Sequence, residues 1–177
     1  MQCRRSVRLC LLAAAQVHVR ALTNLGNMFR DGQAVEQDYV EVVRLYHLAA
    51  AQGDAEGQAD LGYMFFQGSG TAKDYAEAVR LLRLAAAQGH ARAQCSLGTW
   101  LQSICPNLAR DPAEGATWMR IAATNGNARA QLVMGYIFER GVEGVEVDRA
   151  EAIRWFSLAA TQGNIEGADG LRRLQCN

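Results

Sequence analysis

The sequence predicts an all-α fold, a right-handed solenoid of antiparallel helix pairs. Three observations predict it. First, short segments recur at one spacing. Ala49-Ala50-Ala51-Gln52-Gly53 returns as Ala85-Ala86-Ala87-Gln88-Gly89, Ala122-Ala123-Thr124-Asn125-Gly126 and Ala159-Ala160-Thr161-Gln162-Gly163, so the glycines step by 36, 37 and 37 residues. Leu25-Gly26, Leu61-Gly62, Leu97-Gly98 and Met134-Gly135 step by 36, 36 and 37, and Asp38, Asp74, Asp111 and Asp148 by 36, 37 and 37. Second, each period holds start and stop signals for two helices, and no β-branched alternation of the kind strands show. Third, Ala and Leu dominate the apolar residues and only Pro106 and Pro112 interrupt them, a composition that favours helix. A fixed period of this length marks a solenoid, in which each unit buries its apolar face only against its neighbours.

The elements follow in chain order. Residues 1–17 align with the second helix of a unit: Val7-Arg8-Leu9 matches Val79-Arg80-Leu81, and Ala13-Ala14-Ala15-Gln16 matches Ala85-Ala86-Ala87-Gln88, an offset of 72. Gln2 and Arg5 stand where capping residues would, so this partial leading repeat has an uncapped helix and no first helix of its own. A rival reading is a signal peptide over residues 1–15, with Arg4 and Arg5 preceding Leu9-Cys10-Leu11-Leu12-Ala13-Ala14-Ala15. Four full repeats follow at 18–53, 54–89, 90–126 and 127–163, and residues 164–177 form a capping helix.

Within a repeat, helix A starts after Asp54, His90, Asn127 or Asn164; Asp and Asn are good N-caps. Its centre carries Leu-Gly, and four residues past the Leu stands Phe29, Phe65 or Phe138, with Leu101 in the third copy. A mid-helix glycine costs ~1 kcal/mol against alanine, so Gly26, Gly62, Gly98 and Gly135 are expected to admit the Ala-Ala pair of helix B at close range. Helix B opens with Asp followed three residues on by Glu: Asp38/Glu41, Asp74/Glu77, Asp111/Glu114 and Asp148/Glu151. This is capping-box spacing, in which Asp accepts a first-turn N–H and Glu reaches back to the cap N–H. Pro112 fits the first helical position. Apolar residues at 5, 7, 8 and 10 past the Asp, such as Ile153, Trp155, Phe156 and Leu158, are expected to form the buried stripe. The recurring glycine closes helix B in the left-handed conformation. In the terminal helix Leu171 keeps the Leu position, Arg172 replaces the Gly and Gln175 the aromatic, as suits a solenoid end.

The pattern resembles the Sel-one-like repeat (SLR) family, a relative of the tetratricopeptide repeat. The second copy shows it as LGYMFFQGSGTAKDYAEAVRLLRLAAAQG. The resemblance covers nearly the whole chain, and the 36–37 residue step separates it from the usual tetratricopeptide. The third copy departs, with Ser103-Ile104-Cys105-Pro106 replacing the Gly turn, and the fourth has one extra residue in Gly141–Val147. The resemblance implies a tetratricopeptide-like superhelix and a non-catalytic scaffold or adaptor for protein partners.

Composition narrows the function. The 177 residues carry 18 Lys plus Arg and 18 Asp plus Glu, a net charge of zero. Without a basic block the chain is a poor candidate for nucleic acid, and no apolar run reaches the length of a membrane span. Five cysteines, Cys3, Cys10, Cys95, Cys105 and Cys176, share no period and form no CxxC pair; they read as separate reduced thiols, which leans towards the cytoplasm, whereas a signal peptide would mean secretion. No catalytic, metal or cofactor motif occurs. His18, His47 and His90 read as capping or surface residues, Gly68-Ser69-Gly70 as a turn, Trp100, Trp118 and Trp155 as packing, and Arg44, Arg80 and Arg154 as a solvated outer face.

By analogy with tetratricopeptide arrays, helix A lines the concave side. The residue five before the central Leu and those two, five and six after it are expected to face the groove, among them Arg20, Asn27, Arg30, Glu56, Tyr63, Phe66, Arg92, Thr99, Gln102, Arg129, Tyr136 and Glu139. This polar set with three aromatics suits a protein or peptide segment. Two other readings stand beside it. One is a spacer or fragment of a longer array, self-associating through its open N-terminal end if Leu9, Leu11 or Leu12 is exposed. The other is a hydrolase acting on cell-wall-like substrates, against which the missing nucleophile–base pair counts.

Overall fold

The computed structural model describes residues 18–33, 36–102, 111–141 and 145–175. The expected helix over 1–17, the signal-peptide alternative, the odd loop 103–106 and four of the five cysteines lie outside them. Among the described residues nine helices run in order: α1 Val19–Asp31, α2 Tyr39–Ala51, α3 Ala55–Gln67, α4 Tyr75–Ala87, α5 Ala91–Trp100, α6 Pro112–Thr124, α7 Ala128–Arg140, α8 Arg149–Thr161 and α9 Ile165–Gln175. Odd-numbered helices are the A helices and even-numbered ones the B helices. They fall into two compact units, one of residues up to His90 and one from Ala91 onward. In the first, α1 packs on α2, α2 on α3 and α3 on α4; in the second, each of α5 to α9 packs on the next.

The B helices are capped by aspartate, but not as a reciprocal box. Asp38, Asp74, Asp111 and Asp148 accept the backbone N–H of Glu41, Glu77, Glu114 and Glu151 at 2.9–3.1 Å. The cap's own N–H, which the box spacing assigned to the Glu side chain, is donated to helix A instead. Asp38, Asp74, Asp111 and Asp148 reach the carbonyls of Phe29, Phe65, Leu101 and Phe138 at 3.4, 3.1, 3.1 and 2.9 Å. One residue thus closes the A-to-B loop and opens helix B. The glutamates turn to residues one helical turn on: Glu41, Glu77 and Glu151 pair with Arg44, Arg80 and Arg154, and Glu114 accepts the Trp118 indole N–H at 3.1 Å. The arginine row is therefore exposed but ion-paired.

At the other end of helix B the alanines act through their carbonyls. Gly53, Gly89, Gly126 and Gly163 have φ of 84°, 85°, 89° and 82°. Each donates its N–H to the second alanine of its pair, while Asp54, His90, Asn127 or Asn164 donates to the first at 3.0–3.2 Å. These are Schellman closures, which satisfy carbonyls that the helix end leaves without partners. Asp54, Asn127 and Asn164 then cap the following A helix by accepting the N–H of Gly57, Ala130 and Gly167 at 2.8–2.9 Å. The B-to-A corner is this tight because a single residue serves two helices.

The buried stripe differs from the expected one. The buried positions lie 4, 7, 8 and 11 past the Asp: Val42, Leu45, Tyr46 and Ala49 in α2, and Ala152, Trp155, Phe156 and Ala159 in α8. These are i, i+3, i+4 and i+7, the true helical face. Leu84 and Leu158, ten past the Asp, are 42% and 39% exposed. The face is hard to see in an apolar pattern because the position 11 past the Asp is alanine in every copy and the one 4 past it is alanine or glycine in three of the four.

The central glycines also meet a different partner from the Ala-Ala pair. A Cβ on Gly26 would lie 2.5 Å from the Tyr46 ring, and one on Gly135 the same distance from Phe156. On Gly62 and Gly98 it would face the backbone oxygens of Ala78 and Gly115 at 3.1 and 3.0 Å. The glycine admits the residue eight past the Asp and the start of its own helix B. The alanines instead meet the next A helix, where Gly57 and Gly167 approach Ala49 and Ala159.

One polar element went unread in the sequence. Gln58, Gln94 and Gln131, each four residues past a helix-A cap, are 6%, 3% and 4% exposed. Their Oε1 atoms accept from Gln88, Asn125 and Gln162 at the ends of the paired B helices, at 2.8, 3.1 and 2.7 Å. Gln131 also donates to the Ala123 carbonyl at 3.1 Å, so it joins α8 to α6. A buried amide without partners costs ~1–3 kcal/mol. Replacing Gln131 with leucine should therefore lower stability by about 1–3 kcal/mol, read by urea unfolding. An unchanged midpoint would show that these bonds contribute nothing net.

Candidate partner-binding surface

The twelve positions expected to face a groove separate into different environments. In the first unit, Arg20 on α1 and Glu56 on α3 hold the same repeat position and are both exposed. With Thr23, Asn24, Asp54, Ala55 and His90 they line a cleft of about 560 Å³. Asp54 is bound within the wall: its Oδ2 accepts the Gly57 N–H at 2.8 Å and the Thr23 hydroxyl at 3.0 Å. Among the described residues Arg20 and Glu56 form no ion pair, with each other or with a neighbour. Thr23, Asn24 and His90 were not expected here. His90 was read only as a cap or surface residue, and nothing in the spacing marks Asn24.

Asn27 and Arg30 are tied into their own unit. Tyr46 is fully buried, its hydroxyl donates to Asn27 Oδ1 at 2.5 Å, and Arg30 Nη1 donates to the same hydroxyl at 3.3 Å. Arg30 also pairs with Asp31 at 2.8 Å. That hydrogen bond raises the Arg30 pKa and holds the Asp31 carboxyl below its usual range. Tyr63 is half-buried, and Phe66 packs edge-on against Tyr75 with centroids 5.2 Å apart.

In the second unit Arg92 and Arg129 occupy the Arg20 position and are exposed. The Thr99 hydroxyl bonds back to the Cys95 carbonyl at 3.0 Å, and Gln102 is half-buried. Tyr136 and Glu139 are engaged by packing. The Tyr136 ring meets Phe156 edge-on at 5.1 Å, in a cluster that Leu171 and Leu174 of α9 complete. Glu139 accepts two bonds from Arg173 of α9, each 2.8 Å. Arg173 had no assigned role in the sequence; its pairing partner lies 34 residues away.

His18 precedes α1 without a side-chain cap bond, and His47 is exposed. Among the described residues no group of three or more His, Cys, Asp or Glu is placed to hold a metal ion, and no helix is long and apolar enough to cross a membrane. Cys95 is buried. Burial pushes its thiol pKa up, against the opposing pull of Arg129, so the thiolate that reacts is suppressed. Peptide mapping after iodoacetamide at pH 8 should find Cys95 unmodified in the native protein and modified in denaturant. Rapid native modification would show that the site opens.

Two helices per period, closed by the same caps four times over, can be compared as a repeat. The Sel1 repeat pattern matches residues 19–54, 55–90, 91–127 and 128–164. The chain belongs to the Sel1 repeat family. Solved Sel1 structures share the fold. A protective antigen of uropathogenic Escherichia coli with an SLR fold is 32% identical over 90% of this chain, with a TM-score of 0.81. A Sel1 repeat protein from Oxalobacter formigenes is 30% identical over 89%, with a TM-score of 0.79. The chain spans 34% of the first and 62% of the second. An immunity protein of Pseudomonas aeruginosa, at 24% identity and a TM-score of 0.59, shares the fold alone. No curated protein matches the chain. The fold is thus the helix-pair solenoid of Sel1 repeats, which are generally protein-interaction scaffolds and typically non-catalytic.

Proposed function

We propose that this Sel1 repeat chain is a non-catalytic adaptor that holds a polypeptide segment on the concave, helix-A face. The observation that carries this is the polar cleft of the first unit, walled by Arg20, Asn24, Glu56 and His90. A cavity of this size accepts a few side chains of a bound segment. Its walls are set by the Thr23–Asp54 bond and the cap at Gly57. A rigid surface loses little entropy on binding. Tyr63 lies farther along α3 and supplies an aromatic contact of the kind that anchors interfaces. Arg92 and Arg129 hold the repeat position of Arg20 in the second unit and are exposed.

The experiment is selection of short random peptides on the whole protein, followed by titration of the selected peptides against Tyr63→Ala and Arg129→Glu. Circular dichroism serves as the folding control. Peptides that bind the wild type and weaken on a still-helical variant support the helix-A face. Failure to enrich any peptide would contradict the adaptor reading and favour a spacer. Tyr136 is a poor probe, because its removal also strips packing from Phe156.

A further inference from the structure

The cleft of the first unit carries two opposite charges that do not neutralise one another. Arg20 stands on α1 and Glu56 on α3, one repeat apart, and both are exposed. Both line the same cleft. Among the described residues neither is ion-paired, although arginines and glutamates elsewhere in the unit do pair, Arg44 with Glu41 and Arg80 with Glu77. The third carboxylate, Asp54, is already bound to Thr23 and to the N-terminus of α3. A strongly acidic ligand would meet Glu56, and a strongly basic one would meet Arg20. Like charges brought together at an interface oppose binding, and opposite ones set orientation and specificity.

We infer that this cleft selects an extended polypeptide segment carrying one acidic and one basic side chain, the acid directed to Arg20 and the base to Glu56. This rests on the polypeptide-binding reading above and names the partner's chemistry and direction. The order of the two charges along the segment fixes which way the chain runs across α1 and α3.

The probe is the random peptide library, panned in parallel on the wild type, Arg20→Glu, Glu56→Arg and the exchanged double variant Arg20→Glu/Glu56→Arg. Both substituted side chains are exposed, so the fold should hold, as circular dichroism would verify. The wild type is expected to enrich peptides with one acid and one base at a fixed spacing. Arg20→Glu should shift enrichment to basic peptides and Glu56→Arg to acidic ones. The double variant should again enrich mixed-charge peptides, with the order reversed. For a wild-type peptide, each single reversal should weaken affinity about tenfold, as expected when a solvent-exposed pair turns from attraction to repulsion. The loss should shrink as salt is added. Peptides enriched equally by all four proteins, or lacking the charge pair, would overturn the inference while leaving the adaptor reading intact. No enrichment by any of the four would overturn both.

Discussion

Replacing Phe156 with alanine is expected to destabilise the second unit by about 3–5 kcal/mol, the usual range for emptying a buried aromatic site. The ring is fully buried. Gly135 of α7 and Gly170 of α9 both lie against it, so close that a Cβ on either would come within 2.5 and 2.9 Å of ring carbons. Neither glycine has a side chain that could swing in to fill the space. Tyr136 would also lose its edge-on partner. Urea unfolding followed by tryptophan fluorescence reads the loss, since Trp155 is adjacent in sequence and buried. A loss under about 1 kcal/mol would mean that the helices close over the cavity. The converse change, Gly135→Ala, should cost about 1–3 kcal/mol by overpacking despite alanine's better helix propensity.

Gly70→Ala is the second large effect. Gly70 has φ of 70°, and a Cβ there would sit 2.1 Å from the Tyr39 carbonyl oxygen and 2.4 Å from its carbon. The obstacle is backbone at the start of α2, which no rotamer change relieves. The left-handed conformation costs a non-glycine residue ~1–2 kcal/mol, and displacing α2 adds about 1–3 kcal/mol. Gly53 provides the control. It has φ of 84° but nothing within 4 Å of its Cβ position, so Gly53→Ala should show only the conformational cost. Equal losses at the two positions would show that the A-to-B loop of the second repeat is not packed against α2.

Much of this architecture was legible because it is written four times. The recurring Asp, Leu-Gly and Ala-Ala-x-x-Gly fixed the helices and their corners, since caps and left-handed glycines are local and depend on a few adjacent residues. Partners across helices were harder. The capping-box glutamates read correctly as first-turn residues, yet the competing acceptor for the cap N–H was a carbonyl of the preceding helix, which no local pattern reveals. Small residues hid the core stripe, because an alanine at Ala49 or Ala159 looks neutral until a glycine of the next helix is seen against it. The buried glutamines repeat at regular spacing, but polarity argued for the surface until Gln88, Asn125 and Gln162 were found bonded to them.

The surface residues were the least legible. Register alone put twelve side chains on one face and could not tell those that hold the fold from those available to a partner. Asn27 and Arg30 serve Tyr46, and Glu139 serves Arg173. Arg20 and Glu56 remain exposed and uncommitted to any ion pair among the described residues. Charge at one repeat position is a weak sequence signal, since most exposed charges only solvate a face.

Hydrogen exchange of the whole protein, with and without a saturating selected peptide, tests most directly whether polypeptide binding occurs on the helix-A face. Protection should concentrate in the first turns of α1 and α3, around Arg20 and Glu56, and leave the exposed sides of α2 and α4 unchanged. Protection confined to α2 and α4 would place the partner on the opposite surface and contradict the groove.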